Sequence, residues 1–133
     1  MELNITFPGG LRVEATNGRH KILTDQSRDA GGDGSAPEPY LLFLASIGTC
    51  AGIYVLRFCQ AHGLPTEGIS LRQRMQWDEA RKRLSRVELV VQVPETFPER
   101  YRDALARSAS LCAVKKTILD PPEFEVRTVA VGP

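Results

Sequence analysis

Two short apolar runs, Leu3 to Phe7 and Leu11 to Ala15, flank Pro8-Gly9-Gly10, and this pattern predicts a β-hairpin. A third strand, about Lys21 to Thr24, follows the Asn17-Gly18 turn. Residues 26–38 are rich in Gly, Asp and Ser and read as a loop. Gly31-Gly32-Asp33-Gly34 suggests a phosphate cradle, but GxGxxG and GxxxxGKS/T are both absent, so a flexible lead-in to the next helix is the better reading. That helix opens near Pro37-Glu38-Pro39, with proline and an acidic residue at its first turn, and runs to about His62 before Gly63 and Pro65 stop it. Its apolar residues, among them Leu41, Leu44, Ile47, Ile53, Val55 and Phe58, cover every side. Such a helix has to be surrounded, which one sheet and one other helix cannot do, so a second copy of the chain is expected to supply the missing wall.

Two longer strands follow. Ile69, Leu71, Gln73, Met75 and Trp77 alternate with Ser70, Arg72, Arg74 and Gln76, and Val87, Leu89, Val91 and Val93 repeat the alternation after the charged turn at 79–83. The arginines at 72, 74, 81, 83 and 86 could form an RNA-binding ribbon. Glu79 and Glu88 nearby, and Trp77 on the opposite face, favour a solvated hairpin instead. A second helix is predicted from Pro98-Glu99 to Asp120-Pro121-Pro122, with Tyr101, Leu105, Leu111, Cys112, Ile118 and Leu119 on its buried stripe. A last strand, Phe124 to about Val131, completes the order β-β-β-α-β-β-α-β, an α+β fold in one domain spanning residues 1–133.

Composition narrows the chemistry. A formal net charge of +1 gives no bulk attraction to nucleic acid or to an anionic membrane. The uncharged stretch 39–56 is long enough for a marginal membrane span, yet Gly48, Gly52, Ser46 and Thr49 within it suit a buried soluble helix. Three cysteines, an odd number, do not make a closed disulfide framework, and no signal-peptide pattern opens the chain, so a reducing, cytoplasmic setting is expected. His20 and His62 lack metal-site spacing with the cysteines or with each other, so no metal is expected. Cys59 lies nine residues after Cys50, which at about 100° per residue puts the two on opposite faces of the helix, and it reads as core. Cys50 and Cys112, from two separate helical segments, remain as a candidate pair for reversible thiol–disulfide chemistry.

The residues around that pair carry a resemblance. Gly31-Gly32, then Pro37-x-Pro39-Tyr40-Leu41-Leu42, Ala45 and Gly48-x-Cys50, followed some sixty residues later by Ala109-x-x-Cys112-x-Val114, resemble the OsmC/Ohr family, the osmotically inducible protein C and organic hydroperoxide resistance proteins. The resemblance implies an intertwined homodimer with a long buried central helix. It also implies a thiol peroxidase that reduces organic hydroperoxides without a bound cofactor, with Cys50 as the peroxidatic residue and Cys112 as the resolving one. An external dithiol, such as a lipoyl protein, would restore the thiols. Family members activate the first cysteine with an arginine from the N-terminal strands; Arg19 is the best match and Arg28 the rival. Peroxide-reducing members also carry a glutamate ten residues before that cysteine, where this chain has Tyr40, with Glu38 two places earlier. This departure leaves open an alternative, a non-catalytic dimeric binding or stress protein with the same fold.

Overall fold

A computed structural model describes all residues, 1–133, and divides the chain into two compact units, Met1–Ser46 and Ile47–Pro133. In the first, β1 (Asn4–Gly9), β2 (Arg12–Thr16) and β3 (Lys21–Thr24) form an antiparallel sheet in chain order. Gly9 and Gly10 turn β1 into β2 with φ of 131° and 58°, values that side chains with a Cβ rarely adopt. Asn17 closes the next turn by accepting the N–H groups of Arg19 and His20 on its Oδ1, at 3.1 and 2.8 Å. The loop after β3 contains a single 3₁₀ turn, Arg28–Ala30, and leads into α1 (Pro39–Ala61).

Helix α1 contributes residues 39–46 to the first unit and 47–61 to the second. Within the second unit it buries one stripe, Ile47, Ala51, Val55 and Cys59, spaced four residues apart. The expected enclosure on every side is not met by a single chain, because Ile53 and Leu56 of α1 stay exposed. The strands β4 (Ser70–Asp78) and β5 (Arg83–Gln92) form an antiparallel hairpin. Leu71, Leu89 and Val91 of this hairpin, and Val93 just after it, pack onto a core of Ala51, Val55, Cys59, Phe97, Leu105 and Ala109. The opposite face is a solvated one: Glu88 lies 3.9 Å from both Arg74 and Arg86, and Arg81 and Lys82 face Asp78 and Glu79 at the tip.

Two expectations are corrected. The helix foreseen from Pro98 to Asp120 is two helices, α2 (Glu99–Ala109) and α3 (Ala113–Leu119), with Cys112 in extended backbone between them (φ −51°, ψ 126°). Ser108 and Ser110 turn their hydroxyls back onto the carbonyls of Leu105 and Ala106, competing with the helix as it ends. In consequence Leu111, Ile118 and Leu119 are exposed and do not continue the buried stripe. The last strand is not formed either. Residues 120–133 have no sheet partner, and Phe124 and Val126 are 86% and 96% exposed, because alternation makes a segment fit for a sheet only where an edge is available to pair with it.

Candidate active site: a hydrogen-bonded thiol pair

In the second unit Cys50 and Cys112 are both free thiols, and Cys50 packs against the buried cluster to which Cys112 belongs. Cys50 is half-buried on α1, one residue before the core alanine at 51. Cys112 is fully buried and occupies the N-cap of α3, where its Sγ accepts the Lys115 N–H at 3.4 Å. The same sulfur lies 3.8 Å from the Ile47 carbonyl of α1, to which its S–H donates. The break between α2 and α3 therefore has a use: it turns the start of α3 towards Cys50.

The two thiols are driven in opposite directions. Cys50 is held below the ordinary thiol range, first by the backbone N–H of Val114, then by the Cys112 thiol, with Ala113 N–H assisting and burial opposing. Cys112 is pushed up, chiefly by burial, and the Cys50 sulfur adds to this while the Lys115 N–H works against it. The two shifts favour the anion at Cys50 and the protonated form at Cys112. Cys59, with burial as the cause, is also pushed up.

Sequence reasoning named the two cysteines as a pair and no backbone donors to them. Lys115 stands in the first turn of α3 and its N–H bonds to Cys112. Arg19 lies in the β2–β3 turn of the first unit with an exposed side chain, and Arg28 donates from Nε to the Asp33 carbonyl at 3.4 Å. Glu38 accepts the Ser27 N–H at 3.1 Å, and Tyr40 packs on Phe43 with ring centroids 5.6 Å apart. No group of three or more His, Cys, Asp and Glu side chains is placed to hold a metal ion.

A cavity of about 480 Å³ lies between β5 and the two short helices. Val87, Leu89, Leu105 and Ile118 line it, together with Ile47 and Lys115, the residues that bond to Cys112. Arg102 also lines it and is paired with Glu99 at 2.9 Å. An apolar chamber lined by the two residues that bond to Cys112 suits a ligand with a hydrocarbon body.

No curated protein matches the chain. Among solved structures, one from Psychrobacter arcticus, named for osmotic stress induction and a detoxification response, is similar over 86% of this chain and 85% of its own, with 20% identity and a TM-score of 0.71. An organic hydroperoxide resistance protein OsmC from Legionella pneumophila is similar over 89% of each chain, at 21% identity and a TM-score of 0.55. The organic hydroperoxide resistance protein OhrB of Bacillus subtilis shares 18% identity over 88% of this chain and 90% of its own, with a TM-score of 0.54. These likenesses establish the fold. The OsmC-like protein family model matches residues 32–127, most of the chain and both cysteines of the pair, so the chain belongs to the OsmC-like family.

Proposed function

We propose that the protein is a cysteine-based peroxidase that reduces organic hydroperoxides in the cytoplasm. The observation that carries this reading is the contact between a thiol biased towards its anion and a thiol biased towards its protonated form. The Cys50 thiolate attacks the outer oxygen of the hydroperoxide, the O–O bond breaks, and the alkoxide leaves and takes up a proton as the alcohol. Cys50 is then a sulfenic acid. Cys112 attacks its sulfur, the S–O bond breaks, and hydroxide leaves with the Cys112 proton as water, giving the Cys50–Cys112 disulfide. An external dithiol, with a lipoyl group as the candidate, returns both thiols by exchange and is itself oxidised. The half-buried position of Cys50 and the apolar cavity favour a peroxide with a hydrocarbon body over hydrogen peroxide.

In this reading Arg19 is the added cation for the Cys50 thiolate. The protein works as a homodimer, because a second copy would cover the exposed sides of α1 and give the 124–131 segment an edge to pair with. Light scattering should then give about twice the chain mass of 14.7 kDa.

Thiol titration before and after one equivalent of cumene hydroperoxide tests the chemistry: two thiols per chain should disappear. Cys50→Ser should abolish the loss, and Cys112→Ser should leave a sulfenic acid on Cys50 that dimedone traps. Unchanged thiols in the wild-type protein would instead favour a dimeric binding protein. Tyr40, packed on Phe43 where peroxide-reducing relatives carry a glutamate, is the feature that speaks for that second reading.

A further inference from the structure

The cavity between β5 and the two short helices is walled by residues that the periodicity of their elements puts there. Val87, Leu89 and Val91 stand two apart on one face of β5, and Leu105 and Ala109 stand four apart on one stripe of α2. Leu105, Ala109 and Ile47 of α1 are buried at its deep side, whereas Arg102, Ala106 and Leu119 are exposed at its open side.

Two charged side chains line this chamber, Arg102 and Lys115, and no Asp or Glu lines it. The two cations differ. Arg102 is exposed and already held by Glu99 at 2.9 Å. Lys115 is half-buried, and no ion pair of the second unit includes it. An apolar chamber with one uncompensated cation in its wall is complementary to a hydrocarbon that carries one negative charge.

We propose that this cavity is a binding site for an aliphatic carboxylate, with the chain among the valines and leucines of β5 and α2 and the carboxylate on the Lys115 ammonium. At roughly 30 Å³ for a water-sized group, about 480 Å³ holds on the order of sixteen heavy atoms, so an acid of about ten to twelve carbons fits. The head group is a carboxylate because one free ammonium balances one charge. A phosphate monoester carries nearly two at neutral pH, and the surplus would sit uncompensated against an apolar wall. Nor does helix α1 of a second copy serve as well: it has no Asp or Glu, so it could fill the apolar part but would leave Lys115 unpaired. The ligand needs no peroxide group, so the site goes beyond the peroxidase reading and does not depend on it.

Isothermal titration calorimetry of the full chain with decanoate, decanol and decyl phosphate tests this, with light scattering on the same samples. Decanoate should bind with a micromolar Kd, about tenfold tighter than decanol and tighter than decyl phosphate, since a charge-assisted hydrogen bond separates the first two. Octanoate, two methylenes shorter, should bind about tenfold more weakly than decanoate. Lys115→Gln should bring decanoate down to the affinity of decanol and leave decanol unchanged, whereas Lys115→Arg should stay within about twofold of wild type. Ala106→Trp, at an exposed helix position on the open side, should fill the chamber and abolish binding of both while far-UV circular dichroism is preserved. A wild-type Kd for decanoate weaker than about 1 mM would overturn the proposal, and a dimer in light scattering would then point to a second copy as the occupant. Equal affinities for decanoate and decanol, tighter binding of decyl phosphate, or an unaltered preference in Lys115→Gln would overturn it as well, and undiminished binding in Ala106→Trp would place the ligand elsewhere. No step consumes peroxide, so a protein that binds decanoate as described yet leaves cumene hydroperoxide intact refutes the peroxidase and sustains the site.

Discussion

Asp25 and Cys50 are two acidic side chains held by backbone N–H groups, one in each unit, and they serve opposite ends. Asp25 is buried after β3. Its Oδ2 accepts both the N–H and the hydroxyl of Ser35, at 3.0 and 2.7 Å, and its Oδ1 accepts the Gln26 N–H at 2.8 Å. The Ser35 hydroxyl, followed by the Ser35 N–H, pushes its carboxyl down from 3.8 to about 2. A carboxylate is ionised at neutral pH in any case, so these donors change no chemistry; they tie a glycine-rich loop into one shape. The same kind of donor at Cys50 acts on a group whose ordinary ionisation lies above neutrality, and there a downward push changes what the sulfur can do. Backbone N–H groups at a buried anion make a fastener or a reactive centre according to how far the group's intrinsic pKa stands from the pH around it.

The sharpest way to break the fastener is through Gly32. A Cβ built there would overlap the Gln26 carbonyl and lie 2.9 Å from Asp25 Oδ1, and the obstruction is backbone, which cannot step aside. Gly32→Ala should cost about 3 kcal/mol or more and lower Tm by roughly 10 °C in a thermal melt. Asp25→Asn is the next largest. It places an amide NH₂ among donors, and Tm should fall by about 5 °C at pH 7. The sign with pH follows from the depressed native pKa. The stability that Asp25 contributes is present above about pH 4 and is lost as pH falls through the interval to about 2, so the gap between wild type and Asp25→Asn should close across that interval.

Gly48, two residues before Cys50, supplies the contrast on the other side. Its added Cβ would lie 2.6 Å from Gln73 Oε1, the far end of a flexible side chain. Gly48→Ala also removes a glycine from the interior of α1, worth about 1 kcal/mol in the opposite direction, so Tm should move by less than about 3 °C and Cys50 alkylation should be unaffected.

Strands β1 to β5 and helix α1 were legible in the sequence because each is announced locally, by alternation or by apolar residues between turn and stop signals. The break at Cys112 was missed since no glycine or proline marks it; the Ser108 and Ser110 hydroxyls that compete for helix carbonyls were the available signal. The segment 124–131 was misread for a different reason: its alternation is real, but pairing is a property of two strands and the chain gives it no second one. At the site, Cys50 and Cys112 could be found from residue types and spacing. The N–H groups of Ala113 and Val114 could not, as every residue except proline carries one and only the path of the chain decides where it points.

Cys59 has no part in this chemistry, yet its position gives the protein an internal gauge. It is wholly shielded among Val55, Phe97 and Leu105, so a soluble thiol reagent reaches it only when α1 parts from the packing around Leu105. The half-buried Cys50 should therefore react quickly, Cys112, buried as fully as Cys59, should be protected, and Cys59 should react at the rate of that excursion. Its labelling rate, followed against denaturant, measures how often the interior opens, and it does so without an engineered probe.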